Sequence, residues 1–194
     1  MTPPAWALGN STRLDLDGFG SAFASAWRGL QSRFLKVECW QRYREADDNQ
    51  SQAAYDRGDV DSARELLRRE AEADRPLYED VRNRGIEYAR VRLVQEPLSP
   101  YLEYELLNYR IRADMGENIE VVRHGGTRLP DERHFDFLLF DRNLALLHDY
   151  GAGEIGRQTG GWLTRSADVI DRLEQTVVAL RRQSIPLRRY LMEP

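Results

Sequence analysis

A chain of 194 residues that is 41% hydrophobic, with 4 Trp, 9 Tyr and 6 Phe, has enough apolar material for one well-cored domain and too much for a disordered chain. Its net charge of -4 argues against stand-alone nucleic-acid binding, which draws its affinity from Lys and Arg against phosphate. A lone Cys39 excludes an intramolecular disulfide framework and a cysteine-built zinc site. No apolar run reaches the roughly 18 residues of a membrane span, so no membrane association is expected.

Of the 28 basic residues only Lys36 is a lysine, the rest being arginine. There is no Gly-x-x-x-x-Gly-Lys run for a phosphate-binding loop, and a Schiff-base mechanism would have to use Lys36. The N-terminus has neither a basic segment nor an apolar one of signal-peptide type, and with the single Cys this gives a cytoplasmic expectation.

In chain order, residues 1–13 carry Pro3, Pro4, Gly9, Asn10 and Ser11 and are expected to be a mobile leader, with residues 14–194 forming a single α/β domain. Leu16, Phe19, Phe23, Trp27 and Leu30 fall at helical spacing and predict a first amphipathic helix over 14–30. Residues 34–40 read as a strand. The polar stretch 44–58 reads as a surface loop with frayed helical character. A charged helix follows over 60–73, with Pro76 expected to break or restart it. Residues 86–94 are strand-like, and Ser99-Pro100 marks a helix start. Leu98, Tyr101, Leu102, Leu106 and Tyr109 form its apolar stripe, and residues 119–122 form a short strand.

Two successive helix–Gly–strand units suggest βαβ organisation. The expected fold is a mixed, mainly parallel sheet flanked by helices, with an N-terminal helical elaboration and α+β as the alternative. Residues 135–140 and 144–147 predict a hairpin turning at Asp141-Arg142-Asn143, and 166–182 the last helix, ended by Pro186.

Three groups of residues could carry chemistry. The run His134-Phe135-Asp136 with Asp141 has a histidine and two carboxylates at short spacing. It gives either an acid–base centre or hydrogen-bonded polar groups at a strand edge. Glu96 should lie just beyond a strand end, where open α/β sheets bind ligands, with Tyr104 and Glu105 on the next helix. Arg90 and Arg92 alternate on the preceding strand, within reach of those carboxylates. Together with His148 they suggest a polar pocket for a small molecule or a peptide terminus, or an Arg–Glu network fixing the junction. His134, Glu96 and Glu105 are expected to line one pocket. His124, His134 and His148 lie apart, without zincin spacing, so neither metal nor cofactor is expected.

His134, Asp136 and Asp141 have the spacing of the His-x-Lys-x-x-x-x-Asp motif, and the order Gly116, strand 119–122, His134, Asp141, strand 144–147 and closing helix accompanies it. On these residues the second half, roughly 76–190, resembles a phospholipase D-like domain, with Asp136 where the motif has Lys. The resemblance implies a histidine nucleophile beside a phosphate-stabilising lysine, and an Asp there has the wrong charge for phosphate. Such enzymes assemble two motifs and this chain has one, so a homodimer would have to supply the second.

Phe34-Leu35-Lys36-Val37-Glu38, Arg90-Val91-Arg92-Leu93-Val94, Glu96-Pro97-Leu98-Ser99, Gly116-Glu117 and Asp136-Phe137 also make the chain similar to an uncharacterised actinobacterial family, often encoded beside helix-turn-helix regulators. That likeness implies a regulatory role. The expectation is a non-catalytic regulatory or interaction protein whose partner is a protein or small molecule, with ligand contacts from Arg92, Glu96, Tyr104, Glu105 and His148. The competing expectation is an enzyme, a transferase or hydrolase such as natural-product pathways use, with His134 as base or nucleophile oriented by Asp136 or Asp141.

Overall fold

Strand alternation organises the molecule, because one face of the central strands is apolar and the other is charged. The computed structural model describes residues 2–126 and 128–193. In chain order the elements are α1 (Ala5–Leu8), β1 (Ser11–Leu14), α2 (Leu16–Arg28), β2 (Arg33–Glu38), α3 (Gln50–Asp56), α4 (Val60–Asn83), β3 (Glu87–Val94) and α5 (Pro100–Asp114). They continue with β4 (Ile119–Arg123), β5 (Phe137–Phe140), β6 (Leu144–Asp149), β7 (Gly160–Thr164), α6 (Ala167–Arg181), β8 (Ile185–Pro186) and α7 (Leu187–Tyr190).

The strands form one eight-stranded sheet in the order β1-β7-β6-β5-β2-β3-β4-β8. The two βαβ units are present: β2 pairs with β3 and β3 with β4, both parallel. The sheet is nevertheless mostly antiparallel, which corrects the expectation of a mainly parallel one. The β5–β6 hairpin pairs antiparallel to β2, β7 and β1 extend that side, and β8 closes the other edge. The reason is local: the short connections after β5 and β6 allow only antiparallel return, whereas parallel pairing needs a crossover helix.

The N-terminal residues are not a mobile leader. Ser11–Leu14 pair with β7, Ala7 is fully buried, and Trp6 packs edge-on against Phe135. Ser11-Thr12-Arg13-Leu14 has no apolar alternation to mark it, its two central residues being exposed, so nothing in the segment stands out beside the prolines. Pro76 neither breaks nor restarts its helix, since α4 runs unbroken from Val60 to Asn83. The buried positions Ala63, Leu67, Ala71 and Val81 continue on both sides of the proline, and their packing outweighs the roughly 3 kcal/mol of an interior proline. Within the stretch expected as loop, Asn49 caps the seven-residue α3, accepting a hydrogen bond from the Gln52 amide.

On one sheet face Leu35, Val37, Ala89, Val91, Leu93, Phe137, Leu139, Ala145 and Leu147 bury themselves against Val169, Ile170, Leu173, Val177 and Leu180 of α6. On the other face, α2 sets Phe19 and Trp27 against Phe34, Leu138, Phe140 and Leu146. Further along that face, α5 and α7 cover Val94, Ile119 and Val121 with Leu102, Leu106, Tyr109, Leu187 and Tyr190. Between these two apolar patches the floor is polar.

Candidate functional site

The residues that alternate with the buried apolar ones on β2 and β3 are Lys36, Glu38, Tyr88, Arg90 and Arg92, and all five point the same way. With Asp136 just before β5, Leu138 from β5 and His148 from β6, they floor a cleft of about 460 Å³. Phe19, Phe23 and Trp27 of α2 form one wall, and Tyr101, Glu105 and Arg112 of α5 with Tyr78 of α4 form the other. Trp40, Tyr43 and Glu45 follow β2 and line one end, with Tyr150. The volume lies within the range of small-molecule sites.

Much of the charge on this floor is paired. The Arg90 guanidinium donates to both oxygens of Glu38 at 3.0 Å and, through Nε, to Glu117 at 2.6 Å. Tyr109 adds a hydroxyl bond to Glu38, and Tyr78 and Tyr88 donate to Glu117. Lys36 lies 2.7 Å from Glu38, and Arg112 pairs with Asp74. Burial pushes the Glu38 carboxyl up, but Arg90, Lys36 and Arg92 outweigh it and hold it well below the usual carboxylate range. Glu117 is likewise lowered, with burial opposed by Arg90 and the Tyr78 hydroxyl.

Four other groups converge on the cleft with different status. Arg92, only 2% exposed, donates to the Trp40 carbonyl and leaves its Nε without a hydrogen-bond partner. Both ring nitrogens of His148 are buried and unpartnered, with the ring stacked on Tyr150 and tilted against Phe19. Burial, then Lys36, lowers the His148 pKa to about 3, so the ring is neutral. Glu105 is buried and Glu45 partly buried, and no ion pair or side-chain hydrogen bond to either carboxylate is found among the described residues. Burial and the nearby Glu105 raise the Glu45 pKa to about 7.

Asp136 does reach the cleft, yet as a scaffold. Its Oδ1 accepts from the backbone amide of Cys39 at 2.6 Å and its Oδ2 from the Tyr150 hydroxyl at 2.9 Å. Its pKa rises to about 6, chiefly through burial and against the pull of Arg92. Its neighbours in the motif go elsewhere. His134 bonds through Nδ1 to Asp131 at 3.1 Å and borders a shallow depression with Trp6 and Arg172. Asp141, at the hairpin turn with φ 52°, accepts from the amides of Gln31, Ser32 and Arg33 and from the Ser32 hydroxyl. His134 and Asp136 are both hydrogen-bonded, each to different partners.

The single pocket expected for His134, Glu96 and Glu105 does not form. Glu105 lines the cleft, while Glu96 is exposed beside Arg123 and borders a separate depression with Gln95 and Pro97. Tyr104 faces away from the cleft, its hydroxyl 2.8 Å from Ser51 on α3. Helix α5 is buried on two sides, which an apolar-stripe reading of one side could not foresee. Arg92, Glu105 and His148 are thus brought together, and Glu96 and Tyr104 are not. The functional residues missed were Lys36, Glu38, Tyr43, Glu45, Arg90 (assigned to the wrong carboxylates) and Tyr150. The available signal was Lys36 and Glu38 alternating with Leu35, Val37 and Cys39.

The histidines are less scattered than their spacing implied. The His124 and His134 rings lie 5.2 Å apart, and with Asp131 they offer three ligand atoms within 4.8 Å of one another. The turn accounts for this grouping, because Asp131 accepts from the amides of Arg133 and His134 as well as from the His134 ring.

The architecture is that of a mixed α/β domain built on one sheet, with a ligand-sized polar cleft on the face opposite α6. Residues 21–192 match the family described as a domain of unknown function, DUF6879, and the chain belongs to that family. No curated protein matches it in sequence. Among solved structures it is similar to phosphatidylserine synthase of Haemophilus influenzae Rd KW20, with a TM-score of 0.48 and 10% identity. The match covers 91% of this chain and 38% of that one. No described helix is long and apolar enough to cross a membrane.

Proposed function

We propose that the protein binds a small ligand in this cleft and acts as a non-catalytic regulatory or interaction protein, on a phospholipase D-like scaffold that has lost the motif lysine. The observation that carries the reading is Arg92, a buried guanidinium with an unsatisfied Nε bordering the cleft. An unmet buried donor costs about 1–3 kcal/mol, more when charged, and a bound acceptor removes that cost. His148 adds buried ring nitrogens in the same condition, and Glu105 adds a carboxylate to the cleft lining.

The phosphorus chemistry of that scaffold wants a histidine beside a lysine. In the cleft Lys36 is tied to Glu38, the motif position holds the carboxylate of Asp136, and His134 faces Asp131. The regulatory part rests on the family resemblance. Regulator genes adjoining this chain's own gene would support it, and a biosynthetic cluster there would count against it.

Binding is tested by tryptophan fluorescence, since Trp27 and Trp40 line the cleft. The wild type and Arg92→Met are titrated with amino acids, polyamines, nucleotides, sugar phosphates and dicarboxylates. Saturable binding by one class that Arg92→Met weakens is the expected result, and no saturable binding by any class overturns the reading. A second arm follows a chromogenic phosphodiester, which the wild type and Asp136→Lys are expected to leave intact. Cleavage at an enzyme-like rate that His134→Ala abolishes would replace this reading with the alternative, a transferase or hydrolase. The His134–Asp131 pair is the one arrangement that favours that alternative.

A further inference from the structure

The charges the cleft leaves uncompensated have a definite pattern. Once Glu38, Glu117, Lys36, Arg90, Arg112 and Asp74 are paired among themselves, and the Asp136 carboxylate is held by two amides and a hydroxyl, three charged groups are left with neither an ion pair nor such a set of donors. They are one cation, Arg92, and two carboxylates, Glu45 and Glu105. We infer that the ligand is a small basic amino-acid-type molecule, with cationic nitrogen at Glu45 and Glu105 and a carboxylate at Arg92. The inference rests on the cleft being a ligand site and names what that site takes.

Three observations support the charge assignment. The two carboxylates come from different elements, Glu45 from the segment after β2 and Glu105 from α5, and each raises the electrostatic cost of the other. A cation between them removes that cost, and a fold gains nothing from placing them together without one. Tyr43 and Tyr101, packed edge-to-face at 5.7 Å, stand beside these carboxylates and offer aromatic surface to an organic cation. A bare metal ion fits less well. Among the described residues, Glu45 and Glu105 join no third ligand close enough to share one ion, whereas an ammonium or guanidinium group on a flexible chain bridges wider gaps.

The anion end is equally specific. One Arg92 nitrogen is taken by the Trp40 carbonyl, so a single free edge remains, which suits a monoanionic carboxylate better than a dianionic phosphate. His148, neutral and unpartnered, can donate from one nitrogen and accept at the other. A basic amino acid carries the mirror image of the cleft's free charge: one carboxylate and two cationic nitrogens.

The test is calorimetric titration of the full chain with L-arginine, its neutral urea isostere L-citrulline, and agmatine, which lacks the carboxylate. Arginine is expected to bind, and citrulline to bind at least about tenfold more weakly, because a buried carboxylate would lose a charged partner. Glu105→Gln relieves repulsion and should fold at least as well as the wild type, yet lose arginine affinity by a similar factor. Arg92→Met should make arginine and agmatine equivalent. Citrulline binding as well as arginine, or Glu105→Gln leaving arginine affinity unchanged, overturns the inference. So does the absence of arginine and agmatine binding at millimolar concentration. If a neutral or purely anionic compound binds instead and Arg92→Met abolishes it, the cleft remains a ligand site and only the cationic assignment falls. If nothing binds, both fall.

Discussion

Replacing Glu45 by glutamine isolates the electrostatic state of the cleft. With a folded-state pKa of about 7 against 4.5 for the ordinary carboxyl, Glu45 keeps its proton in the native protein over a window where the unfolded chain has released it. The unfolded state therefore binds fewer protons across that window, and the stability the protonated carboxyl contributes is complete below pH 4.5 and lost as pH rises through 7. By linkage the loss is at most about 3 kcal/mol, and partial solvent contact brings the expected value to roughly 1–3 kcal/mol. Glu45→Gln cannot ionise, so it should match the wild type at acid pH and exceed it by that amount above neutrality. Burial is the main cause of its shift; Glu105, Glu38 and Glu70 add to it from α5, β2 and α4, and Lys36 on β2 opposes it. Glu105→Gln should therefore shrink the effect. Asp136, raised to about 6, adds a slope of the same sign, whereas His148, lowered to about 3, costs stability as pH falls below 6.5. The difference between variant and parent cancels both. Urea denaturation followed by tryptophan fluorescence from pH 4.5 to 8.5 measures it. A stability difference that stays constant across this range would refute the argument.

Asp141→Ala should lower stability by about 2–4 kcal/mol, since three amides and a hydroxyl lose one charged acceptor, and Asp141→Asn, which tolerates positive φ, by roughly half as much. Both are read by urea denaturation, and ligand binding in the cleft should be unaffected. Glu117→Gln should cost about 3–5 kcal/mol, because Arg90 keeps only one carboxylate in a buried network. His134→Ala should cost less than about 1 kcal/mol and leave cleft binding intact, its ring being only partly buried and bonded to one turn carboxylate outside the cleft. Thermal melts and the fluorescence titration report the two halves of that prediction.

The elements with strong periodicity were legible. Helix α2, strands β2 and β3, the Ser99-capped α5, the β5–β6 hairpin and α6 all fall within a few residues of their sequence reading, because each combines a clear apolar period with a cap or turn residue. The strands that escaped, β1, β7 and β8, are short or begin with glycine, and the partners that define them are remote: β1 and β7 pair across about 150 residues. Sheet direction failed for the same reason, since two βαβ units fix only the strands they connect. At the site, Arg92, Glu105 and His148 were singled out by residue type. Their companions Lys36 and Glu38 had been read only as part of a strand, and Arg90 had been assigned to the wrong carboxylates. Residue type says that a charge inside a strand needs a partner; side-chain direction in three dimensions decides which one it has, since Glu38 lies opposite Arg92 in the register yet pairs diagonally with Arg90.

Burial alone does not separate the charges that hold this protein together from those available to a ligand. Arg90 and Arg92 are both buried, lie two residues apart on one strand and point to the same face. Arg90 is enclosed by Glu38 and Glu117, and its network is complete without anything from outside. Arg92 has a backbone carbonyl and no ion pair among the described residues, so its charge is compensated only at a distance. The two should therefore respond differently to conservative loss. Removing a partner from Arg90 strands a charge, whereas replacing Arg92 with an apolar side chain of similar length strands no directly paired carboxylate. A cleft whose floor charges are mostly paired within the protein is fixed in shape before anything enters it. The uncompensated groups then act on the ligand instead of on each other.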